Sequence, residues 1–346
     1  MNVLVNDELY DKDYVARYCS GFEQLAAQVQ PYNPEWAYLE TGLEAAQIRA
    51  TAHAMAGAAP ATLVHPGRHG DDTQRCRAIA ILNALLGCWG RPGGFYAQEK
   101  VALPEFPAPE PPKPERDWKD AVQARFPLVN TGISNVMIDA STGPDAFFKG
   151  WFDYAPNLTT TLPAVREQLQ RAAQSLELVV VVDTMPAEIT GYADVVLPEC
   201  TYLERFDDLR NKAERTPTLA LRMPAFTPSY DSKPAWWIAK GLAEKLGLGD
   251  YFPWQDYREV LDWQLKQVGS SLAEMQKTGV KAFPRKTPVY FTAGEAITFK
   301  TPSGKIELYS RTLADTGHDP LPRYVAPQRP PAGYFHLNYG RAAAHT

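Results

Sequence analysis

The sequence lacks both a strong charge imbalance and a long apolar run. Its 346 residues include 35 Lys and Arg against 40 Asp and Glu, which gives a formal net charge of -5 and a pI near 5.8. This composition provides no basic surface for nucleic acid or for an anionic membrane. No apolar stretch approaches the roughly 20 residues of a membrane-spanning helix. We therefore expect a soluble chain without a nucleic acid partner, and its length favours two or three domains.

Cysteine is scarce as well. The four residues Cys19, Cys76, Cys88 and Cys200 are scattered, with no C-x-x-C pair and no His at metal-ligand spacing. We do not expect a structural zinc, an iron-sulfur cluster or a disulfide framework held by this chain, and small buried apolar side chains are the simplest interpretation of these cysteines. The P-loop, G-x-S-x-G, H-E-x-x-H and G-x-G-x-x-G patterns are also missing.

The first hundred residues show a pattern of helix, strand and helix. Apolar residues repeat at helical spacing from Leu43 to Met55, Thr41 is a candidate cap, and residues 61–64 are predicted to form a strand. The strand leads into the loop "HPGRH". The next helix has an apolar stripe from Ala78 to Leu86, and Asp71, Asp72 and Thr73 stand at its start, where acidic and hydroxyl groups are favoured.

A proline-rich segment, "LPEFPAPEPPKP", divides the sequence, because its spacing opposes a helix or a central strand. After it, "ARFPLVNTGISNVMID" is predicted to be a strand entering a turn, and "TLPAVREQLQRAAQSLE" a helix. The predicted organisation is an α/β lobe at 1–103, a linker at 104–116, a second α/β lobe at 117–290 and an irregular extension at 291–346.

The segment "ELVVVVDTMPAEITGYADVVLPE" is the most informative. Two β-branched runs, Leu178 to Val182 and Asp194 to Leu197, flank a short polar stretch, and the first run ends at Asp183. Strands alternating with helices predict a parallel sheet, and such sheets bind ligands at the carboxyl ends of their strands. Asp183 could accept hydrogen bonds there from a ribose or a base. A turn-forming aspartate is the alternative.

The order of several motifs resembles the molybdopterin oxidoreductase family of the dimethyl sulfoxide reductase type, and in particular its polysulfide and thiosulfate reductase branch. The resemblance runs nearly end to end. The segments that carry it are "HPGRH", "DDTQRCRAIAILNALLGCWGRPGGFY", "VVVVDTMPAEITGYADVVLPECTYLERFDDL", "SKPAWWIAKGLAEKLGLGDYFPW", "FKTPSGKIELYS", "DPLPRY" and "YFHLNYGRAAAHT". It implies an α/β fold of two incomplete Rossmann-like lobes with parallel sheets, plus the start of a C-terminal β-domain.

The resemblance also implies segments beyond this chain. Members of the family begin with a cysteine-rich iron-sulfur segment and a stretch carrying the molybdenum ligand, and they end in a largely β domain. We therefore expect the chain to be the middle part of such a subunit, without a signal peptide, a metal ligand or cluster ligands of its own, and to be inactive alone. The loop after His69 is shorter than the family pattern predicts.

Roles can be transferred where residues match. Intact members hold molybdenum between two molybdopterin guanine dinucleotides. Arg68 and His69 are implied to be catalytic, with Arg68 holding an anionic sulfur substrate near the molybdenum. A salt bridge from Arg68 to Asp71 or Asp72 is the alternative. The implied cofactor-binding residues are His65, Pro66, Gly67, Asp72, Thr73, Thr131, Gly132, Ser134, Asn135, Asp183, Thr184, Leu197, Pro198, Glu199, Gly340, Arg341, His345 and Thr346.

The implied activity is the reduction of polysulfide or thiosulfate in anaerobic respiration. The implied partners are an iron-sulfur electron-transfer subunit and a membrane-anchor subunit that oxidises quinol, in the periplasm. Tetrathionate, arsenate or nitrate are alternative substrates on the same scaffold. A non-catalytic nucleotide-binding fragment is the alternative from another class.

Overall fold

The computed structural model describes residues 1–66, 72–110, 112–114, 116–129, 134–155, 157–162, 165–292, 297–328 and 330–335. The α-helices are α1 (Asn2–Asn6), α2 (Lys12–Tyr18), α3 (Phe22–Gln28), α4 (Pro34–Thr41), α5 (Ala45–Ala58), α6 (Thr73–Leu85), α7 (Trp118–Arg125), α8 (Ser134–Asp139), α9 (Leu158–Thr161), α10 (Arg166–Ser175), α11 (Ala235–Lys245), α12 (Tyr257–Gln267), α13 (Leu272–Thr278) and α14 (Arg311–Asp315). Two 3₁₀ helices span Glu188–Tyr192 and Gly249–Tyr251. The strands are β1 (Cys19–Ser20), β2 (Gly150–Tyr154), β3 (Leu178–Asp183), β4 (Val195–Pro198), β5 (Arg210–Lys212), β6 (Thr218–Ala220), β7 (Val280–Ala282) and β8 (Ile306–Glu307).

The chain forms two compact units. The first unit combines 1–97 with the residues from 288 onward, and the second contains 98–287. These units differ from the predicted lobes, because the proline-rich segment belongs to the second unit and the segment after 290 belongs to the first. Val101 is buried and Gln264 donates to the Pro104 carbonyl, which ties the proline-rich segment to α12.

The first unit is mainly helical around an apolar core. Its most deeply buried side chains include Leu4, Leu25, Leu85 and Leu308. Strands β1 and β8 pair in parallel, which brings the C-terminal segment onto this core. The Asp72 side chain caps α6 by accepting a hydrogen bond from the Arg75 amide at 3.0 Å. The acidic start of this helix that the sequence predicts is therefore confirmed.

The second unit is built around a three-stranded parallel sheet in the order β2-β3-β4. Trp151 pairs with Val179, and Val180 with Val195, so the three strands run side by side. The valines of β3 are buried because a central parallel strand is covered on both faces. On one side Trp151 packs with Ile138 and Leu169 of α8 and α10.

An antiparallel sheet, in the order β5-β6-β7, completes the second unit. Leu219 of its central strand packs with Leu261, Leu265 and Met275, all of them fully buried. Helix α12 begins with a capping box formed by Asp256 and Glu259, which satisfies amides that the first turn cannot pair. The sequence did not predict this antiparallel sheet, since its strands are only three residues long.

The predicted α/β fold with parallel sheets is confirmed, together with α5, α6, α10, β3 and β4. Two predicted strands are wrong. Residues 61–64 form no strand, because the Asn83 side chain of α6 takes the place of a strand partner: it donates to the Val64 carbonyl at 2.8 Å and accepts from the Val64 amide at 3.0 Å. Residues 124–129 contain the end of α7 followed by a turn.

The predicted Thr41 cap is also wrong. Thr41 is the last residue of α4, and Gly42 ends that helix in the left-handed region at φ 72°. Helix α5 starts after Glu44, whose side chain makes no capping hydrogen bond. The hydroxyl of Thr41 donates to the Ala37 carbonyl instead, as a threonine inside a helix commonly does.

Candidate nucleotide-binding site

The carboxyl ends of the parallel strands form one edge of the sheet. Strand β3 ends at Asp183, which is paired with Pro198 at the end of β4, and β2 ends at Tyr154 on the other side. Because all three strands point the same way, their terminal polar groups are gathered at this edge. In open α/β sheets ligands bind there.

Asp183 uses only part of its hydrogen-bonding capacity within the chain. Its Oδ1 accepts from the Thr184 amide at 2.6 Å and, more weakly, from the Met185 amide at 3.4 Å. This geometry fixes the turn that follows β3, as the turn-forming alternative predicts. Its Oδ2 has no hydrogen bond in the described part of the chain. The same side chain can therefore shape the turn and accept a bond from a ligand.

Asp153 is a second carboxylate near this edge, and the sequence analysis missed it. Its side chain is only 8% exposed, and its Oδ2 has no hydrogen-bond partner among the described residues. Burial, and then the negative charge of Asp183, raise the pKa of Asp153 to about 6. Such an unpaired buried acceptor is rare in proteins and requires an explanation. The burial pattern of β2 places Asp153 on the same buried face as Trp151, but aromatic residues on both faces of "GWFDY" leave no alternation in the sequence that could have signalled this.

Glu199, a predicted cofactor-binding residue, is engaged by the protein itself. It is 3% exposed, and its Oε1 accepts from the Tyr154 hydroxyl at 2.9 Å and from the Ala235 amide at 3.2 Å. It also forms an ion pair with Arg205. Burial first, and then the hydrogen bond to Glu199, raise the pKa of Tyr154. Glu199 therefore joins β2, β4 and α11 in one buried polar network.

Arg205 extends this network away from the strand ends. Its Nε donates to Asp207 at 2.7 Å, and its Nη1 donates to the Cys200 carbonyl at 2.8 Å. Asp207 in turn accepts from Arg222 at 2.8 Å. Hydrogen bonds to Asp207 and the charge of Glu199 hold the pKa of Arg205 above its ordinary value despite burial. The guanidinium is a fixed structural cation.

Two other predicted residues line the end of β4. Leu197 is half-buried and Pro198 is exposed, and the Pro198 carbonyl accepts from the Lys233 amide at 3.2 Å. The Glu199 amide donates to the Asp183 carbonyl at 3.0 Å. The structure thus brings Asp183, Leu197 and Pro198 together with Thr184 at one edge.

The other predicted site residues are placed separately. Ser134 and Asn135 are the first two residues of α8 and are half-buried. In the first unit His65 is exposed, Pro66 is half-buried, and Asp72 with Thr73 begins α6. The predicted residues that lie outside the described ranges are Gly67, Arg68, His69, Thr131, Gly132, Gly340, Arg341, His345 and Thr346.

No group of three or more His, Cys, Asp or Glu side chains that could hold a metal ion occurs within the described ranges. Cys19, Cys88 and Cys200 are buried thiols, and the Cys88 thiol donates to the Thr62 carbonyl at 2.7 Å. Burial raises the pKa of Cys19 to about 12 and that of Cys88 to about 11, so both remain protonated and unreactive at neutral pH. Among the described helices none has the length and apolarity needed to cross a membrane.

The chain matches the model of a known protein family. The family model for molybdopterin oxidoreductases matches residues 65–245, slightly more than half of the chain. The chain therefore belongs to the molybdopterin oxidoreductase family, and the resemblance inferred from the sequence is confirmed.

Particular relatives narrow the comparison. The chain is 34% identical to the thiosulfate reductase molybdopterin-containing subunit PhsA of Salmonella typhimurium, over 94% of this chain and 48% of that protein. It is 26% identical to the dimethyl sulfoxide reductase DmsA of Escherichia coli, over 93% of this chain and 46% of that protein. The solved structure of acetylene hydratase from Pelobacter acetylenicus superimposes with a TM-score of 0.72 at 25% identity, covering 94% of this chain and 48% of that one. The chain spans about half the length of the relatives it matches.

Proposed function

We propose that this chain is part of the catalytic subunit of a molybdenum oxidoreductase, and that it holds the nucleotide end of a molybdopterin guanine dinucleotide at the carboxyl edge of β2, β3 and β4. The observation that carries the proposal is the free acceptor capacity of Asp183 at the end of a buried parallel strand. Family membership over 65–245 supports a molybdopterin cofactor as the ligand.

The residues at the edge fit such a group. A guanosine presents N–H and O–H donors, and the edge presents carboxylate oxygens that can only accept when ionised. Asp183 has an oxygen available, and Asp153 has a buried one. The Glu199 network, by contrast, holds the strand ends in position, since its carboxylate already has three partners. Glu199 is then proposed to serve the ligand by holding Asp183 and Pro198 in position, since its amide donates to the Asp183 carbonyl.

Bound molybdenum supplies two-electron redox chemistry, and this chain supplies orientation. Asp183 would hold the nucleotide, with Thr184, Leu197 and Pro198 as the adjacent wall. The metal ligand is assigned to another segment of the intact subunit, and we expect no turnover from these 346 residues alone. Arg68 and His69, outside the described ranges, are proposed to face the substrate, where the planar guanidinium of Arg68 would clamp a sulfur oxyanion.

The proposed substrate is an inorganic sulfur compound, thiosulfate or polysulfide. The identity to a thiosulfate reductase subunit over nearly the whole chain supports this choice. Tetrathionate, arsenate and nitrate remain the alternatives on the same scaffold. We further propose a periplasmic complex with an iron-sulfur subunit and a membrane-anchor subunit.

A second candidate is supported by a specific observation. The fold superimposes on an acetylene hydratase, and a curated acetylene hydratase of Syntrophotalea acetylenica is 28% identical over 94% of the chain. In this case the same nucleotide site would serve addition of water to a triple bond, with no net electron transfer to the substrate.

The experiment is to express the chain together with the coding sequence that flanks it in its gene. Turnover of the purified protein is then measured with reduced viologen. Viologen oxidation by thiosulfate or polysulfide, but not by dimethyl sulfoxide, supports the proposal. Oxidation only by tetrathionate, arsenate or nitrate supports the alternatives. Acetaldehyde formation from acetylene without viologen oxidation would support the hydratase. A purified protein with far less than one molybdenum and one pterin per chain would contradict the sulfur reductase, its alternative substrates and the hydratase. It would leave a non-catalytic fragment.

A further inference from the structure

The second unit carries a basic groove on the solvent side of its antiparallel sheet. The groove has a volume of about 730 Å³. Its charged lining consists of four cations against two carboxylates, namely Arg205, Arg210, Lys212 and Arg222 against Asp207 and Asp208. The whole chain has a net charge of -5, so the groove is a local excess of positive charge on an acidic protein.

The pairing of β5 with β6 explains the shape of the groove. Arg210 and Lys212 are exposed and alternate with the half-buried Asn211, so both extend from the same side of β5, roughly 6.6 Å apart along the strand. Across the sheet Arg210 faces Ala220 and Lys212 faces Thr218. Because both facing side chains are short, β6 forms a low floor beside a row of cations.

The chain neutralises only some of these cations. Arg205 and Arg222 both form ion pairs with Asp207. Arg210 and Lys212, by contrast, make no hydrogen bond or ion pair with any described residue. Two neighbouring like charges repel each other, and an anionic partner would remove that repulsion. The unneutralised charge of the groove is therefore concentrated at two alternate positions of β5.

We propose that this groove docks an extended acidic segment of a partner protein, with two carboxylates at alternate positions paired to Arg210 and Lys212. Alternate residues of an extended peptide repeat at the same spacing of roughly 6.6 Å. Asp208, at the end of the groove beside Arg222, would repel a third carboxylate, so the next residue on that side is neutral or basic. A charged face of this kind selects its partner by electrostatic complementarity.

The test uses the 346-residue chain and isothermal titration calorimetry at low ionic strength. The probes are two peptides of the same composition, Thr-Glu-Thr-Glu-Thr-Lys and Thr-Thr-Glu-Glu-Thr-Lys, which differ only in the spacing of their carboxylates. We expect the alternating peptide to bind about 5-fold or more tightly than its isomer. Reversing both cations, Arg210→Glu with Lys212→Glu, should weaken it at least about 10-fold.

The matched control reverses two exposed lysines outside the groove, Lys119→Glu with Lys245→Glu, and changes the net charge by the same amount. This variant should bind the alternating peptide as wild type does. An equal loss in both double variants would show attraction to overall charge alone and would overturn the proposal.

Three further results would contradict the proposed partner. Absence of binding at low ionic strength would remove the groove as a docking site. Equal affinity for the two peptides would overturn the pairing with alternate carboxylates. Displacement of the peptide by inorganic sulfate at concentrations where chloride of equal ionic strength has no effect would assign the groove to a free oxyanion. Circular dichroism of both double variants checks that a loss of binding does not come from unfolding.

Discussion

Glu199 and Asp153 are buried carboxylates in the same small sheet, but their surroundings are opposite. Glu199 is satisfied by Arg205, Tyr154 and the Ala235 amide, whereas Asp153 Oδ2 has no partner among the described residues. Removing a buried carboxylate that has partners leaves those partners buried without a hydrogen bond, which destabilises the fold. Removing a buried carboxylate that has no partner eliminates its desolvation cost, which stabilises the fold. The comparison separates groups that hold the fold from groups available to a ligand.

The largest expected effect is at Glu199. Glu199→Ala leaves the Arg205 guanidinium without one of its carboxylates in a buried site and unties β4 from β2. We expect the free energy of unfolding to fall by about 3 to 5 kcal/mol. Urea denaturation followed by circular dichroism measures it. Glu177→Ala, which breaks an exposed ion pair with Lys149, is the control and should cost less than about 1 kcal/mol. A loss of less than about 1 kcal/mol in Glu199→Ala would contradict the structural role of Glu199.

Asp153→Leu should raise the free energy of unfolding at neutral pH, the opposite of the change expected for Glu199→Ala. The folded-state pKa of Asp153 is raised from 3.8 to about 6, so the folded chain binds a proton more tightly than the unfolded chain. Its contribution to stability is therefore largest below about pH 4 and is lost as the pH rises to about 6. At pH 7 the ligand-free variant should be more stable than wild type by roughly 1 to 3 kcal/mol. Denaturation of the variant and of wild type at pH 4 and pH 7 checks this. A variant that is less stable than wild type at both pH values would indicate that the Asp153 carboxylate makes a stabilising hydrogen bond.

A smaller loss is expected at Asp72, where the sequence predicts a cofactor contact and the structure shows a helix cap. Asp72→Ala removes the acceptor for the Arg75 amide and should cost about 1 kcal/mol. Asp72→Ser keeps a capping oxygen and should restore most of that loss. Thermal denaturation of the two variants compares them. If Asp72→Ser lowers cofactor content while preserving stability, Asp72 has the ligand role as well.

The smallest effect on stability is expected at Asp183→Asn. The amide carbonyl can still accept from the Thr184 amide, so the turn after β3 is preserved, while the second oxygen becomes a donor. The change in the free energy of unfolding should be within about 0.5 kcal/mol. A loss larger than that of Asp72→Ala would show that Asp183 serves the turn more than the ligand.

The sequence predicted the part of the site that local pattern determines. The valine runs predict β3 and β4, and the polar stretch between them predicts the connection that joins two parallel strands. Asp183 is the last residue of β3, so its place at the strand end follows from the same pattern. The acidic start of α6 was equally local. Asp153 was missed because "GWFDY" is a short strand with aromatic residues on both faces, so no alternation of apolar and polar residues marks its buried face. The Glu199 carboxylate accepts a hydrogen bond from Tyr154, which lies 45 residues away in the sequence. A local sequence pattern cannot predict a contact over that separation.

The strand predicted at 61–64 failed for a related reason. An apolar run specifies an extended backbone, but whether a neighbouring strand completes it is a tertiary matter. Here the Asn83 side chain supplies both hydrogen bonds to Val64 in place of a strand. Buried asparagine in a helix is the signal that could have indicated this, because its amide must find backbone partners.

The measurement that tests the central claim most directly is the molybdenum and pterin content of purified Asp183→Asn, produced with its flanking coding sequence beside wild type and Glu177→Ala. If the carboxyl edge of β3 holds the nucleotide end of the cofactor, both contents should fall several-fold in Asp183→Asn at unchanged melting temperature, and Glu177→Ala should match wild type. Wild-type molybdenum and pterin content in a folded Asp183→Asn protein would contradict the claim and leave Asp183 as the residue that shapes a turn.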